Sequence, residues 1–317
     1  MSLRREPGKD RLEVSSRVEV AGETFSIDAT LPGLHQALQQ QRLPFSVSVQ
    51  GALADSSAVG QVDFSQPAVA VQAELHSHFP DMNKIPGLGK DLELPGELTL
   101  RARLSGPFEQ LAAEDLSANW SGPGSSSMKL DGRIANVIKL EGAELALTGR
   151  LTDADWLTAL LPDSLGALDS AELATQINGD QSLLKLQDLS LKASSADELA
   201  LSLTGQLDLV QLLQAPEIEN LDLKLAFTAP TTRAARALIF EEIPEFGAIT
   251  GTADIRSTHG DPVIENIVIR TRDEQGIQVG LAGRIAQFPL SDAPNTGYEL
   301  DVTMNARETS LMAARAG

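Results

Sequence analysis

The 317 residues carry 25 Lys and Arg against 44 Asp and Glu, a formal charge of −19, and no cysteine. That charge repels phosphate backbones and anionic headgroups, which disfavours general nucleic-acid binding, and a chain without thiols has no disulfides, thiolate metal sites or cysteine nucleophiles. Hydrophobic residues make up 42% but aromatics only 4%, so the composition is globular and apolar burial falls to Leu, Val, Ile and Ala.

In chain order, residues 1–11 read as a disordered or extraneous lead-in. Arg4, Arg5, Glu6 and Lys9 interrupt what would have to be an apolar run of a secretory signal. No downstream stretch approaches the ~18 apolar residues that span a bilayer. Leu12 to Ile27 opens in strand pattern, Pro32 to Gln41 reads as a short helical crossover, and Phe45, Val47 and Val49 resume the alternation. His76 to Pro95, with Pro80, Pro86, Gly87, Gly89 and Pro95, is expected to be irregular and to act as a hinge or unit boundary. Residues 12–95 are thus taken as a first, divergent β unit or units.

A second unit, 96–166, starts with the alternation Leu98, Leu100, Ala102, Leu104 against Thr99, Arg101 and Arg103. Ser125, Ser126 and Ser127, after Gly122 and Gly124, read as a hairpin tip rather than a nucleophile. Leu145 and Leu147 continue the strand period. Thr152 to Pro162 reads as a crossover helix with Thr152 and Asp155 as caps, Trp156, Leu157, Leu160 and Leu161 as its apolar stripe, and Pro162 as its stop. The third unit, 167–246, holds the alternating leucines 199 to 209 and 221 to 225 with Phe227 in the same period, then a crossover at Pro230 to Phe240. The fourth, 247–317, holds Ile277, Val279 and Leu281 and is expected to end in a helix begun at Met304 and capped by Asn305 with Glu308. That abrupt end gives the chain the look of a segment of something longer.

Above the strand period lies a longer one. Gly106, Asp115 and Gly132 recur 73 residues on as Gly179, Asp188 and Gly205, and Asn266 and Gly283 follow Asp188 and Gly205 by 78. Shared offset, parity and flanking Leu or Ile make this a repeat. At Asp188 the apolar parity shifts from Leu184 and Leu186 to Leu189 and Leu191, which a β-bulge with an Asx hydrogen bond explains better than a ladder of ligands.

The chemistry of an enzyme is missing. There is no G-x-S-x-G elbow, no paired-carboxylate motif, and Lys84 to Asp91 lacks both the first glycine and the Ser or Thr of a phosphate loop. His76 and His78 with Asp81 suit a solvated loop as well as a metal site, and Glu241, Glu242 and Glu245 a solvated face. No catalytic residue, metal ligand or cofactor is expected.

The Leu and Val stripe is the feature with a functional reading. The architecture it implies is mainly β: an elongated antiparallel repeat sheet curved into a taco-like groove, with short helical crossovers, or alternatively β-sandwich repeats in which a second sheet seals the stripe. In the open form Leu98, Leu100, Leu104, Leu145, Leu147, Leu199, Leu201, Leu203, Leu223, Leu225, Val279 and Leu281 would line a groove for acyl chains.

"GDQSLLKLQDLSLKASSADELALSLTGQLDL", within Leu168 to Leu209, and "ENIVIRTRDEQGIQVGLAGRI", within Gly251 to Ile285, resemble the repeated strands of AsmA-like proteins of Gram-negative bacteria. There a strand ends near a glycine, a "DL" step starts the next, and an "L-x-G-x-L" step closes the unit. Trp156 and Ile243 to Phe246 look like that family's linkers. The resemblance spans residues 90 to 290 and is poor before them. It implies a bridge-like groove protein of the periplasm, held in the inner membrane by an N-terminal helix that this sequence lacks, which carries phospholipid toward the outer membrane or supports envelope assembly. The implied partners are phospholipid or another acyl-chain lipid and membrane proteins at the groove ends, with no nucleic acid and no membrane span in this segment.

Overall fold

The computed structural model describes residues 2–5, 11–20, 23–33, 41–65, 68–85, 95–152, 168–195, 198–210, 217–233, 247–258, 262–272, 277–287 and 296–305. The chain is mainly β and antiparallel, and its only described helical pieces are 3-10 turns at Met82–Lys84 and Phe108–Gln110. It divides into two compact units, Met1–Thr148 with Ile177–Gln181, and Gly149–Gln176 with Ser182–Gly317.

The first unit is a meander of β1 (Ser2–Arg5), β2 (Arg11–Val20), β3 (Glu23–Pro32), β4 (Arg42–Gln50), β5 (Asp55–Asp63), β6 (Ala70–Phe79), β7 (Glu97–Pro107), β8 (Ala112–Ser121), β9 (Ser127–Asn136) and the first part of β10 (Glu141–Thr152). From β1 to β9 each strand pairs antiparallel with the next. The second unit continues in the same manner through β11 (Leu168–Gly179), β12 (Leu183–Ser195), β13 (Ala200–Val210), β14 (Glu217–Ala229), β15 (Ala248–Thr258), β16 (Val263–Arg272), β17 (Gln278–Gln287) and β18 (Thr296–Asn305). One-sided alternation dictates this form, because a strand with one apolar face gains most by lying beside another whose apolar residues fall in register.

The repeat read from glycines and acids has a structural cause. Gln187 and Asp188 together oppose Gln206, Glu114 and Asp115 oppose Arg133, and Glu265 and Asn266 oppose Arg284, so each of β12, β8 and β16 carries a bulge at the same place. The residue at the bulge sits in the left-handed region in all three, at φ 49 for Asp115, 51 for Asp188 and 51 for Asn266. After glycine, Asn and Asp enter that region at least cost. The extra residue resets the parity, which keeps Leu186 and Leu189, and Ile264 and Ile267, on one face of their strands.

Opposite each bulge stands a glycine, Gly132, Gly205 or Gly283, at φ 149, 145 and 156. A Cβ at Gly205 would lie 2.0 Å from the Asp222 carbonyl oxygen, and at Gly132 and Gly283 it would meet the Glu144 and Glu299 oxygens as closely. The glycine lets the next strand close on the bulge. Gly60 makes the same approach to the Gln72 carbonyl, 2.1 Å from a built Cβ, 72 residues before Gly132 and without a bulge on β4. The divergent stretch 12–95 therefore keeps half of the device.

Several local expectations need correction. Ser2–Arg5, taken as lead-in, form a strand on β2, with Leu3 opposite Val14. The irregular segment begins later than His76, since β6 runs to Phe79 and its residues pair with β7 across Leu98 to Pro107. Met304 and Asn305 are strand rather than helix start, paired with Val279 and Gln278. Thr152 closes β10 and Pro32 closes β3, in the extended backbone that a residue capping a helix also adopts. Residues 230–233 form a bend and turn after β14, with Thr232 buried; residues 34–40, 153–162 and 234–240, the chain beyond Asn305, and Glu241, Glu242 and Glu245 lie outside the described residues. Ser125 and Ser126 do form a hairpin tip, closed by Gly122 N to Ser126 O at 2.9 Å.

Candidate functional site: an apolar sheet face

In the second unit the register assembles apolar residues from seven consecutive strands into one row. Ala193, Leu201, Phe227, Gly251, Ile269, Leu281 and Val302 are successive cross-strand partners from β12 to β18. Beside it run Leu191, Leu203, Leu225 and Ala253 on one flank, and Ala229, Ile249, Thr271, Val279 and Met304 on the other. The Phe227 ring lies across Gly251, where a Cβ would fall 2.1 Å from it, so the absent side chain on β15 is what lets the row hold a ring flat.

All seven second-unit residues singled out in the sequence meet on this face. Leu199 and Leu223 are buried, while Leu201, Leu203, Leu225, Val279 and Leu281 are half-buried. The first unit has its own face, where Ala102, Ala113 and Leu116 are packed by Leu100, Leu104, Ile134, Val137 and Leu145. Leu98, Leu100, Leu104, Leu145 and Leu147 are half-buried there. Each packed cluster, such as Leu189, Leu221 and Leu223 with Leu173, Leu203, Leu207 and Ile255, draws on consecutive strands of one sheet.

Burial is uneven across the second-unit face. Leu199, Ile249 and Ile277 are 2%, 1% and 0% exposed, whereas the row from Leu191 to Ala253 is half-buried throughout. Sequence periodicity placed Phe227 in line with Leu221, Leu223 and Leu225, but neither it nor Ile249 was among the groove residues. Their signal was register: Phe227 stands opposite Leu201 and packs with Leu199, Ala229 and Ile249.

The opposite face is polar and locally paired. Arg133 binds Glu144 through two bonds of 2.9 and 2.7 Å, which holds the Glu144 carboxyl below its usual range. Arg256 reaches Asp222 at 3.3 Å and Glu265 at 3.4 Å, and these acids push its guanidinium up. The bulge residues join this face, Asp115 through Arg103 at 2.8 Å and Asn266 by donating to Asp254 at 2.7 Å. Asp115, Asp188 and Asn266 are thus parts of the bulges.

His76 and His78 sit on β6, two residues apart, and not in a loop. Their cross-strand neighbours are Ser57 and Arg101 for His76, Asp55 and Thr99 for His78. Asp81 instead caps the Met82 turn, accepting from Asn83 N at 3.1 Å. Among the described residues no three His, Asp or Glu side chains are grouped to hold a metal, and no helix is long and apolar enough to cross a membrane.

Compared with known proteins, the chain matches no family model, no curated protein sequence and no solved structure.

Proposed function

We propose that the chain is a periplasmic segment of an AsmA-like envelope protein, non-enzymatic, that binds or conducts phospholipid acyl chains along its apolar sheet face between the inner and outer membranes. The observation that carries this reading is the row of cross-strand apolar partners through seven strands, flanked by leucines that keep part of their surface accessible. Each methylene moved from water onto such a face gains up to ~0.8 kcal/mol, so two acyl tails supply ample affinity without any directional contact. Aliphatic side chains of varied length suit a flexible tail. Headgroups would stay in solvent, and direction would come from membrane proteins at either end, with an inner-membrane anchor outside this segment.

A second reading, a structural or scaffold module for outer-membrane assembly with a sealed core, draws on the near-complete burial of Leu199, Ile249 and Ile277. Lipid content separates the two. Native mass spectrometry after mild purification should find phospholipid on the wild type and less on Leu201→Arg, whose charge lies in the middle of the apolar row. A wild type free of lipid after incubation with phospholipid would favour the scaffold.

A further inference from the structure

Only four histidines occur in the 317 residues, and two of them, His76 and His78, share one strand. Alternation puts both imidazoles on the polar face of β6, because their partners on β7 are Arg101 and Thr99, while Leu98 and Leu100 belong to the apolar face. Ser77 between them points the other way, where its hydroxyl accepts from Ser56 at 3.0 Å. At both histidines β6 is paired with β5 on one side and β7 on the other, so their Cα atoms are held about 6.8 Å apart.

A groove of about 340 Å³ runs across the strands between them. Ser57, His76 and Arg101 stand on one side of it, and Asp55, His78 and Thr99 on the other. The two imidazoles therefore flank the same stretch of floor, the backbone at Ser77. Elsewhere on the polar face Arg133 is tied to Glu144 and Arg256 to Asp222. Among the described residues neither His76 nor His78 has a hydrogen-bond or ion-pair partner, which leaves their ring nitrogens available as ligands.

We infer that His76 and His78 chelate a late first-row divalent metal ion, with Cu(II) the most tightly held. Imidazole donors without thiolates select nickel, copper or zinc over magnesium and calcium, which take oxygen ligands, and among the former the intrinsic order of affinity puts copper first. One strand step lets both nitrogens approach an ion at about 2.0 Å, and the pairing of β6 holds that spacing before the ion arrives. The nearest charges, Asp55 across from His78 and Arg101 across from His76, offset each other, so chelation rather than the local field supplies the affinity. The remaining coordination positions stay with water, for which the groove has room. This site uses the polar face and stands without the acyl-chain reading.

With no cysteine in the chain and only His35 and His259 as further histidines, titration with Cu(II) meets few competing ligands. One equivalent should bind to the full chain with an electron paramagnetic resonance spectrum that shows two nitrogen ligands. Ni(II) should bind at the same place more weakly, and Mg(II) should not compete. His76→Ala and His78→Ala should each weaken Cu(II) binding about tenfold or more and remove one nitrogen coupling, because each turns a chelate into a single ligand. His35→Ala should change neither. Neither His76 nor His78 is buried, so both variants should melt like the wild type without metal, which separates lost ligation from lost folding. A double variant that binds Cu(II) as tightly as the wild type, or a loss caused by only one of the two substitutions, would overturn the inference. So would one Cu(II) shared by two chains in a metal-dependent dimer.

Discussion

Ile249→Arg should unfold the second unit, with a loss above about 4 kcal/mol, while Leu201→Arg on the same face should leave it folded with a loss of about 1 to 2 kcal/mol. Both replace an apolar side chain with a charge. The difference lies in access to water. Ile249 is 1% exposed and packed among the apolar side chains of Leu199, Phe227, Ala229 and Ile269, so a guanidinium there loses its hydration. Leu201 keeps part of its surface open, and a long side chain can lay its stem along the face and carry its charge out to solvent. Thermal melting followed by circular dichroism reads the two directly. Equal and severe losses would mean that the face is sealed throughout.

The second large effect falls on a residue with no side chain. Gly205→Ala should cost about 3 kcal/mol or more, since its new Cβ meets the Asp222 carbonyl oxygen at 2.0 Å and the residue is held at φ 145, outside the regions open to alanine. Gly251→Ala should cost less. There the collision is with the Phe227 ring, and a ring turns more readily than a backbone ladder yields. The ordering is measurable by urea denaturation of the two variants. A Gly205→Ala protein as stable as the wild type would mean that β13 does not need its close approach to the Asp222 carbonyl to pair with β14.

Much of the architecture was legible because its signals are local and repeated. Leu98 to Leu104 alternate with polar residues, and alternation with period two has one structural solution, a strand with an apolar face. The bulge at Asp188 was legible from the parity change alone. Met304 was misread as helical because the capping signature at Asn305 and Glu308 is local, whereas the ladder to β17 carries β18 through Asn305. His76 and His78 were misplaced similarly, because the prolines and glycines after Phe79 coloured the reading of the residues before it. The apolar row itself was not visible in sequence. Phe227 beside Leu201 and Gly251, or Leu281 beside Ile269, follows from register, and register depends on which hairpins carry bulges.

The central claim is that acyl chains lie on the apolar face of the sheet, and adjacent residues of β13 point to opposite faces. A photocrosslinking amino acid placed at Leu203 lies on the apolar row, and one placed at Thr204 lies on the polar face beside Lys224. With phospholipid present, position 203 should crosslink to lipid and position 204 should not. Equal labelling of both positions, or labelling at 204 alone, would contradict the account.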